Sequence, residues 1–450
     1  MSSVKGNMTL GNPLKAILYF SIPIIIGSLF QQLYNVVDTA VIGYVLGDNS
    51  LAALSSTTSI YTLIINFASG LTSGFSVIIS QLFGAGNQSR MRRAVSLTYT
   101  LTLIISIVLT VACMIGINPL LKLLNTPTEI FAEASEYLRI ILLFLVVTTL
   151  YNALASILRS VGNSKVPLIA LIIATIINII LDILFVKYFS MGVAGAAYAT
   201  VIAQAFSCIY CFVYIHHKSS HLRFASSELT LDLPMIRDLL NAGFSMALML
   251  VVVAVGSVIL QGGVNSFGPQ IITAHNTARK IDTLLSIPIG SISAASATFA
   301  GQNYGAGRMD RVKAGMGITA GISAVWCVIS TTCAFAFGGT LVTLLTGTSD
   351  ALIVETAVLY MRINVPFTLA LGVLLSIRSC LQGIGRTLVP ILASVFEFAA
   401  KVIGVQFVIP ALGYVGICIL EPVIWVVGAI LVAINFFWVC RKEEHMMSPS

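Results

Sequence analysis

The chain has 450 residues, of which 57% are hydrophobic and only 9% are charged, and its mean hydropathy is +0.98. Soluble domains carry about 25% charged residues, so this composition excludes a water-soluble protein. Apolar runs long enough to cross a hydrocarbon core recur along the chain. They lack the period-two alternation of barrel strands, so the sequence predicts an all-α polytopic membrane protein.

The apolar runs predict twelve transmembrane helices in chain order. Their expected limits are 14–43, 51–81, 94–118, 134–160, 166–189, 191–216, 235–264, 271–303, 314–342, 353–382, 387–410 and 413–440. We therefore expect the apolar surfaces of these helices to contact the lipid bilayer.

The basic residues alternate between the two sides of the predicted membrane. One side collects both ends of the chain and the even-numbered loops, with Lys5, Lys15, Arg90, Arg92, Arg93, Arg159, Lys165, Lys218, Arg223, Arg237, Arg308, Arg311, Lys313, Arg386, Arg441 and Lys442. The opposite loops hold little beyond Lys122 and Lys187. Because cytoplasmic loops carry the excess of Lys and Arg, both termini are expected in the cytoplasm. The net charge of +7 thus reflects topology, and no nucleic-acid partner is expected.

The chain also repeats itself at an offset of 221 to 223 residues. "QLFGAGN" at 81 returns as "QNYGAGR" at 302, and "YLRI" at 137 returns as "YMRI" at 360. An even number of spans per repeat gives both halves the same orientation, and hence a parallel, pseudo-two-fold repeat of two six-helix lobes. We predict an N-lobe at 1–216, a cytoplasmic linker at 217–234 and a C-lobe at 235–450.

With these features the sequence resembles the multidrug and toxic compound extrusion (MATE) family, in its DinF-like branch. The resemblance covers essentially the whole chain. It rests on "SIPIIIGSLFQQLYNVVDTAVIG" at 21, the two "GAG" loops at 84 and 305, and "RSVGNSKVPLIALIIATIINIILDILFV" at 159. It implies a two-lobed carrier in the cell membrane that exports cationic or aromatic compounds in exchange for Na⁺ or H⁺.

Four polar residues inside predicted spans of the first half match the coupling site implied by this resemblance: Asp38, Asn178, Asp182 and Thr200. An intramembrane carboxylate is costly and usually faces a cavity or a partner. Asp38 near Asp182 would suit Na⁺, which wants oxygen ligands, or a proton held by desolvated carboxylates. The alternative is that each aspartate is neutral and bonded to a backbone carbonyl, or that it lies at a wet helix end.

Gln31 and Tyr34 share a helix face with Asp38, because they precede it by seven and four residues. The resemblance implies that such residues contact substrate, and Asn152 is a weaker candidate for the same role. An aromatic and amide surface would suit planar cations. The alternative role for these side chains is helix packing.

In the second half, Glu397 and Lys401 have the i,i+4 spacing of a helical ion pair, and Arg279 lies three residues before Asp282. Internal neutralisation within each of these pairs is the first interpretation. A polar or proton-linked site at Asp282, Glu397 and Lys401 is the alternative.

The sequence contains no phosphate-binding loop, metal cluster or nucleophile triad, so we expect neither an enzyme nor a cofactor beyond the coupling ion. A monomeric exporter of small organic compounds is the preferred function. A flippase for lipid-linked precursors is the alternative, and it would need a cationic cavity, for which only Arg279 and Lys280 offer support. A passive channel or sensor is a third class. Neither the substrate nor the choice between Na⁺ and H⁺ is encoded in a recognisable motif.

Overall fold

A computed structural model describes residues 6–223, 232–348 and 350–447, and this part of the chain is almost entirely helical. The helices of the first half are α1 Pro13–Leu46, α2 Asp48–Gly84, α3 Gln88–Leu123, α4 Thr128–Leu143, α5 Leu145–Ser160, α6 Lys165–Asp182 and α7 Gly192–Lys218. Those of the second half are α8 Leu233–Val264, α9 Pro269–Gly305, α10 Met309–Thr346, α11 Ala351–Asn364, α12 Thr368–Gly383, α13 Leu388–Ile403, α14 Ile409–Leu412 and α15 Tyr414–Met447.

The predicted number of membrane spans is confirmed. Among the described residues, eleven helical segments are long and apolar enough to cross a membrane, and the pair α4–α5 makes twelve when it is counted as one span. This pair bends by 49° at Phe144. In the second half a short 3₁₀ turn, Val365–Phe367, lies between α11 and α12. The molecule is therefore a multi-pass membrane protein of the all-α class.

The internal repeat is visible in the backbone. α9 begins and ends 221 residues after α2, and α12 begins and ends 223 residues after α5. Turns that need a positive φ recur at the same offsets, where glycine avoids the steric cost of that conformation. The matching pairs are Gly47 with Gly268, Gly86 with Gly307, Gly162 with Gly385, and Gly192 with Gly413. Within the helices that keep one of these offsets, a residue of the first half can thus be assigned its counterpart in the second.

π-helical turns are a second feature shared by the halves. Ile183–Tyr188 continues α6 directly after Asp182, and Gly404–Val408 continues α13. A π turn widens the helix by one residue per turn, and such turns are frequent at functional sites.

The described chain forms two compact units. The first contains residues 6–7 and the described part of Ile26–Ala247, and the second contains Met8–Ile25 and the described residues from Leu248 onward. The units thus divide the chain inside α1 and α8. The lobe limits 1–216 and 235–450 count whole helices and stay a prediction, and 224–231 of the predicted linker lies outside the described residues.

Within the second unit, the segment before α1 is held by Arg311 of α10. The buried Arg311 guanidinium donates hydrogen bonds to the Met8 carbonyl at 3.0 Å, the Gly11 carbonyl at 2.9 Å and Asn303 Oδ1 at 2.8 Å. The Met8 amide donates to Gln302 Oε1 at 2.9 Å. This segment is therefore fixed to the end of α9 and the start of α10 by polar contacts.

Within the first unit, the entry to α8 is held by Arg93 of α3. Arg93 Nη1 lies 3.1 Å from Asp232 Oδ2, and Asp232 Oδ1 accepts a hydrogen bond of 3.1 Å from the Met235 amide. This contact satisfies one of the amide groups that the first turn of a helix leaves free. Hydrogen bonding to Met235 and to Arg93 holds the pKa of Asp232 below its ordinary value.

Candidate functional site

A cavity of about 500 Å³ lies within the first unit, and six helices line it. Five of the residues predicted from the sequence reach its wall, namely Gln31, Tyr34, Asp38, Asn152 and Thr200. The rest of the wall is rich in hydroxyl and amide groups, and no Lys, Arg or His lies among its described lining residues. The cavity wall therefore combines polar groups with apolar surface, and the only carboxylate among its described lining residues is that of Asp38.

The face of α1 that enters the cavity follows from helix geometry. Gln31, Tyr34 and Asp38 are three and four residues apart, so they stack on one side of the helix. The Tyr34 hydroxyl lies 2.9 Å from Thr200 Oγ1 of α7, and this hydrogen bond joins the two helices at the cavity wall. Asp38 is one turn farther along α1 and is only 8% exposed.

Asp182 and Asn178 are neighbours on α6, with i,i+4 spacing, and both are fully buried. Asp38 and Asp182 interact electrostatically, and Asn178 adjoins Asp182. The structure thus brings together the two carboxyl groups that the sequence placed 144 residues apart. Asp182 ends α6 and precedes the π turn, yet its side chain is enclosed and does not lie at a wet helix end.

Several polar atoms of this group have no hydrogen-bond partner. They are Asp38 Oδ1, both carboxylate oxygens of Asp182, and both amide atoms of Asn178. Buried polar groups are satisfied in most native structures, so unsatisfied ones are expected where an ion, a proton or a water belongs. Carboxylate and amide oxygens are the ligands that hard cations prefer. This set of oxygen atoms therefore fits Na⁺, and two adjacent carboxylates equally fit a shared proton.

The structure adds residues that the sequence reasoning missed. Tyr61 of α2 and Tyr137 of α4 line the cavity within electrostatic range of Asp38. Thr148 of α5 donates a hydrogen bond to Gln204 of α7 at the same wall. A signal existed for α2, where Thr57, Thr58, Tyr61 and Thr62 form a polar patch in an apolar span.

Four charged residues on α9, α13 and α15 of the second unit form an ion-paired cluster. Lys401 Nζ lies 2.9 Å from Glu397 Oε1 on α13 and 3.4 Å from Glu421 Oε1 on α15. The expected pairing of Arg279 with Asp282 is wrong, because Arg279 forms its ion pair with Glu421. Arg279 reaches across to the facing α15, whereas Asp282 Oδ1 is buried without a hydrogen-bond partner. Among the described residues, no three His, Cys, Asp or Glu side chains are grouped so as to hold a metal ion.

Comparison with known proteins identifies the family and the fold of this chain. The family model MatE matches residues 23–184 and 245–407, one segment in each half. The chain is 30% identical to the "Probable multidrug resistance protein YoeA" of Bacillus subtilis over 65% of both chains, which is just under two thirds of that relative's length. It is 22% identical to the "Multidrug export protein MepA" of Staphylococcus aureus over 88% of this chain and 87% of the relative.

Solved structures match along the whole chain. A MATE crystal structure in the bent conformation superposes with a TM-score of 0.92 at 23% identity and covers 100% of both chains. A transporter of the MOP superfamily from Pyrococcus furiosus gives a TM-score of 0.91 at 22% identity, covering 99% of this chain and 100% of its own. At these identities the likeness shows the fold.

Proposed function

This chain belongs to the MatE family, and from that premise we propose that it is a secondary active exporter of organic cations or aromatic compounds, driven by Na⁺ or H⁺. The observation that carries the proposal is the cavity of the first unit, where Asp38 on the wall adjoins the buried Asp182. Asn178 and Thr200 complete the proposed ion site. The relatives named as multidrug proteins support export as the direction of transport.

The proposed coupling follows from the chemistry of Asp38 and Asp182. A cation or proton bound between them relieves the repulsion and desolvation that two buried carboxylates suffer. An ion can shift the balance between two conformations only if it binds one of them more tightly. Tyr34 and Thr200 link α1 to α7 one turn from Asp38, so a change in ion occupancy acts on the wall that substrate would contact.

The proposed substrate class follows from the cavity lining. Tyr34, Tyr61, Tyr137 and Tyr151 present aromatic surface, and Gln31 and Asn152 add amide groups. Aromatic faces attract cations, and Asp38 supplies a negative charge with no basic residue on the described wall to compensate it. A planar organic cation is complementary to this aromatic, amide-containing and negatively charged lining.

The flippase alternative is weaker in view of the ion pairs of the second unit. Holding a lipid diphosphate requires free basic side chains, but the charge of Arg279 is already compensated by Glu421. Lys280 is exposed on α9, but it is one residue only. We place the exporter in the cell membrane with both termini in the cytoplasm, as the distribution of basic residues predicts. We propose that it acts as a monomer.

Transport by purified protein in liposomes tests this function. A fluorescent aromatic cation is followed under an imposed pH gradient and, separately, under a Na⁺ gradient. The proteins compared are wild type, Asp38→Asn and Asp182→Asn. We expect one of the two gradients to drive transport, and that gradient identifies the coupling ion. Each variant should lose gradient-driven transport by about 5- to 150-fold, the range that typical coupling energies between two ligands produce.

Asp310→Asn is the matched control, because Asp310 is an exposed carboxylate that pairs with Arg308 in the first turn of α10. It should transport like wild type. Undiminished gradient-driven transport by Asp38→Asn would refute the coupling role. If wild type moves a lipid-linked diphosphate and no organic cation under either gradient, the flippase hypothesis replaces the exporter hypothesis.

A further inference from the structure

The buried charges of the second unit occupy a place that the internal repeat relates to the site of the first unit. The register fixed by the helix limits and the paired glycines assigns a counterpart to each residue. Four residues of the first-unit site and their counterparts in the second unit are Tyr61 with Asp282, Tyr137 with Tyr360, Asn178 with Lys401, and Thr200 with Glu421. The two clusters therefore share these four positions of one duplicated fold, whereas Asp38 and Asp182 have the apolar counterparts Ile259 and Val405.

Three of these counterparts are joined through Glu421, which contacts both Tyr360 and Lys401. The Tyr360 hydroxyl donates to Glu421 Oε2 at 3.3 Å, and Arg279 bonds both the Tyr360 hydroxyl and the Glu421 carboxylate. Lys401 joins Glu421 to Glu397. In the first unit, Tyr61, Tyr137 and Thr200 line an open cavity. In the second unit, the equivalent region holds a network of ion pairs and hydrogen bonds.

Lys401 stands where the first unit has Asn178. Its side chain is 2% exposed, and its ammonium lies between two carboxylates that come from different helices. Asn178, by contrast, leaves both of its amide atoms without a partner beside Asp182. The second unit therefore has a covalently attached cation beside its carboxylates, at the position where the first unit has unsatisfied oxygen atoms.

The formal charges of the cluster agree with this role. Two acidic residues, Glu397 and Glu421, form ion pairs with two basic residues, Arg279 and Lys401. Removal of Lys401 would leave one negative charge unbalanced in the membrane interior, where charged groups are costly.

We propose that the Lys401 ammonium is a tethered cation, which permanently fills the cation site of the second unit between Glu397 and Glu421. The second unit consequently binds no exchangeable ion, and any ion coupling is confined to the first unit. The inference concerns the second unit alone, so it holds or fails independently of the ion and the substrate that the first unit binds.

Chemical rescue tests this proposal on the purified full-length protein. Lys401→Ala removes three carbons and the ammonium group beyond Cβ, and n-propylammonium restores those atoms. We expect Lys401→Ala to have a lower Tm than wild type and to recover a large part of the loss as n-propylammonium is added. Methylammonium, which cannot fill the same space, should restore less. The readout is thermal stability, so it is independent of transport.

Lys280→Ala is the matched control, because Lys280 is an exposed lysine on α9. Its Tm, like that of wild type, should respond to n-propylammonium no more than to an equal concentration of NaCl. Lys401→Met should not respond either, because the methionine side chain occupies the space of the amine. A Lys401→Ala protein that is as stable as wild type, or that gains no more from n-propylammonium than wild type does, would overturn the proposal.

If Lys401→Ala yields no folded protein, the double variant with Glu397→Gln decides the question. It removes one negative charge together with the ammonium, so the formal charges balance again. Recovery of folded protein in the double variant supports the role of Lys401 as a counter-cation. Failure of both Glu397→Gln and Glu421→Gln to restore folding in the Lys401→Ala background contradicts it.

Discussion

The hydroxyl groups of Tyr34 and Thr200 meet at 2.9 Å and tie α1 to α7 beside Asp38. Because both groups lie at the wall of the first-unit cavity, loss of either hydroxyl leaves the other without this partner. The contact is a hydrogen bond between uncharged groups, so its energetic contribution can be isolated from the charges nearby.

We predict that Tyr34→Phe and Thr200→Val each lower stability by about 0.5–1.5 kcal/mol, the usual net contribution of one hydrogen bond. The double variant should lose less than the sum of the two, because the second change removes a partner that is already absent. Thermal unfolding of the four proteins in detergent measures this coupling. Tyr44→Phe, at a residue that is 92% exposed, is the control, and strict additivity would show that the hydroxyls do not interact.

Arg311 offers a second prediction, because it donates to carbonyl groups of the segment before α1. Arg311→Met leaves buried acceptors without donors, at a cost of about 1–3 kcal/mol for each unsatisfied group. We expect a lower Tm and faster proteolytic cleavage between Met8 and Gly11, detected by mass spectrometry.

The control for this prediction is Arg308→Met, which removes only an exposed pair with Asp310. Pairs of that kind contribute about 0–1 kcal/mol. Equal protection of the N-terminal segment in Arg311→Met and wild type would show that Arg311 does not hold it.

The lowered pKa of Asp232 predicts that the stability of the folded protein depends on pH. Its pKa is lowered in the folded protein by the Met235 amide and by Arg93, so the unfolded chain binds a proton at a higher pH than the folded one does. The stabilisation is therefore complete above the unfolded pKa of about 3.9, and it is lost as the pH falls through the folded value. Because Asp232 is only partly buried, with 19% of its side chain exposed, the effect should be small and should weaken in salt.

Comparison of Tm between pH 6 and pH 3 for wild type and Asp232→Asn checks this expectation. The difference between the two proteins should begin to shrink below about pH 4, where the unfolded chain takes up the proton, and should vanish below the lowered pKa of folded Asp232. A difference that is constant over the whole range would mean that the Asp232 carboxylate does not contribute through its charge.

Much of this fold can be predicted from the sequence because lipid imposes strong constraints. Span number follows from hydropathy, and the repeat follows from its constant offset. The common face of Gln31, Tyr34 and Asp38 follows from helical periodicity alone, and all three residues line the cavity.

What could not be predicted depends on contacts between distant helices. Arg279 lies three residues from Asp282, so local spacing favoured that pair, but the partner is Glu421, 142 residues away. The roles of Tyr61 and Tyr137 beside Asp38 likewise depend on how α2 and α4 pack against α1, and single-helix patterns carry no such information.

The balanced charges around Lys401 have an electrical consequence. A membrane potential does work on net charge, at about 2.3 kcal/mol per elementary charge for each 100 mV. The two positive charges of Arg279 and Lys401 cancel the two negative charges of their ion-pair partners on α13 and α15, so the field exerts no net force on that cluster. Asp38 and Asp182 have no basic residue on the described cavity wall to cancel them. Any voltage sensitivity of the protein should therefore enter through the charge state of the first unit.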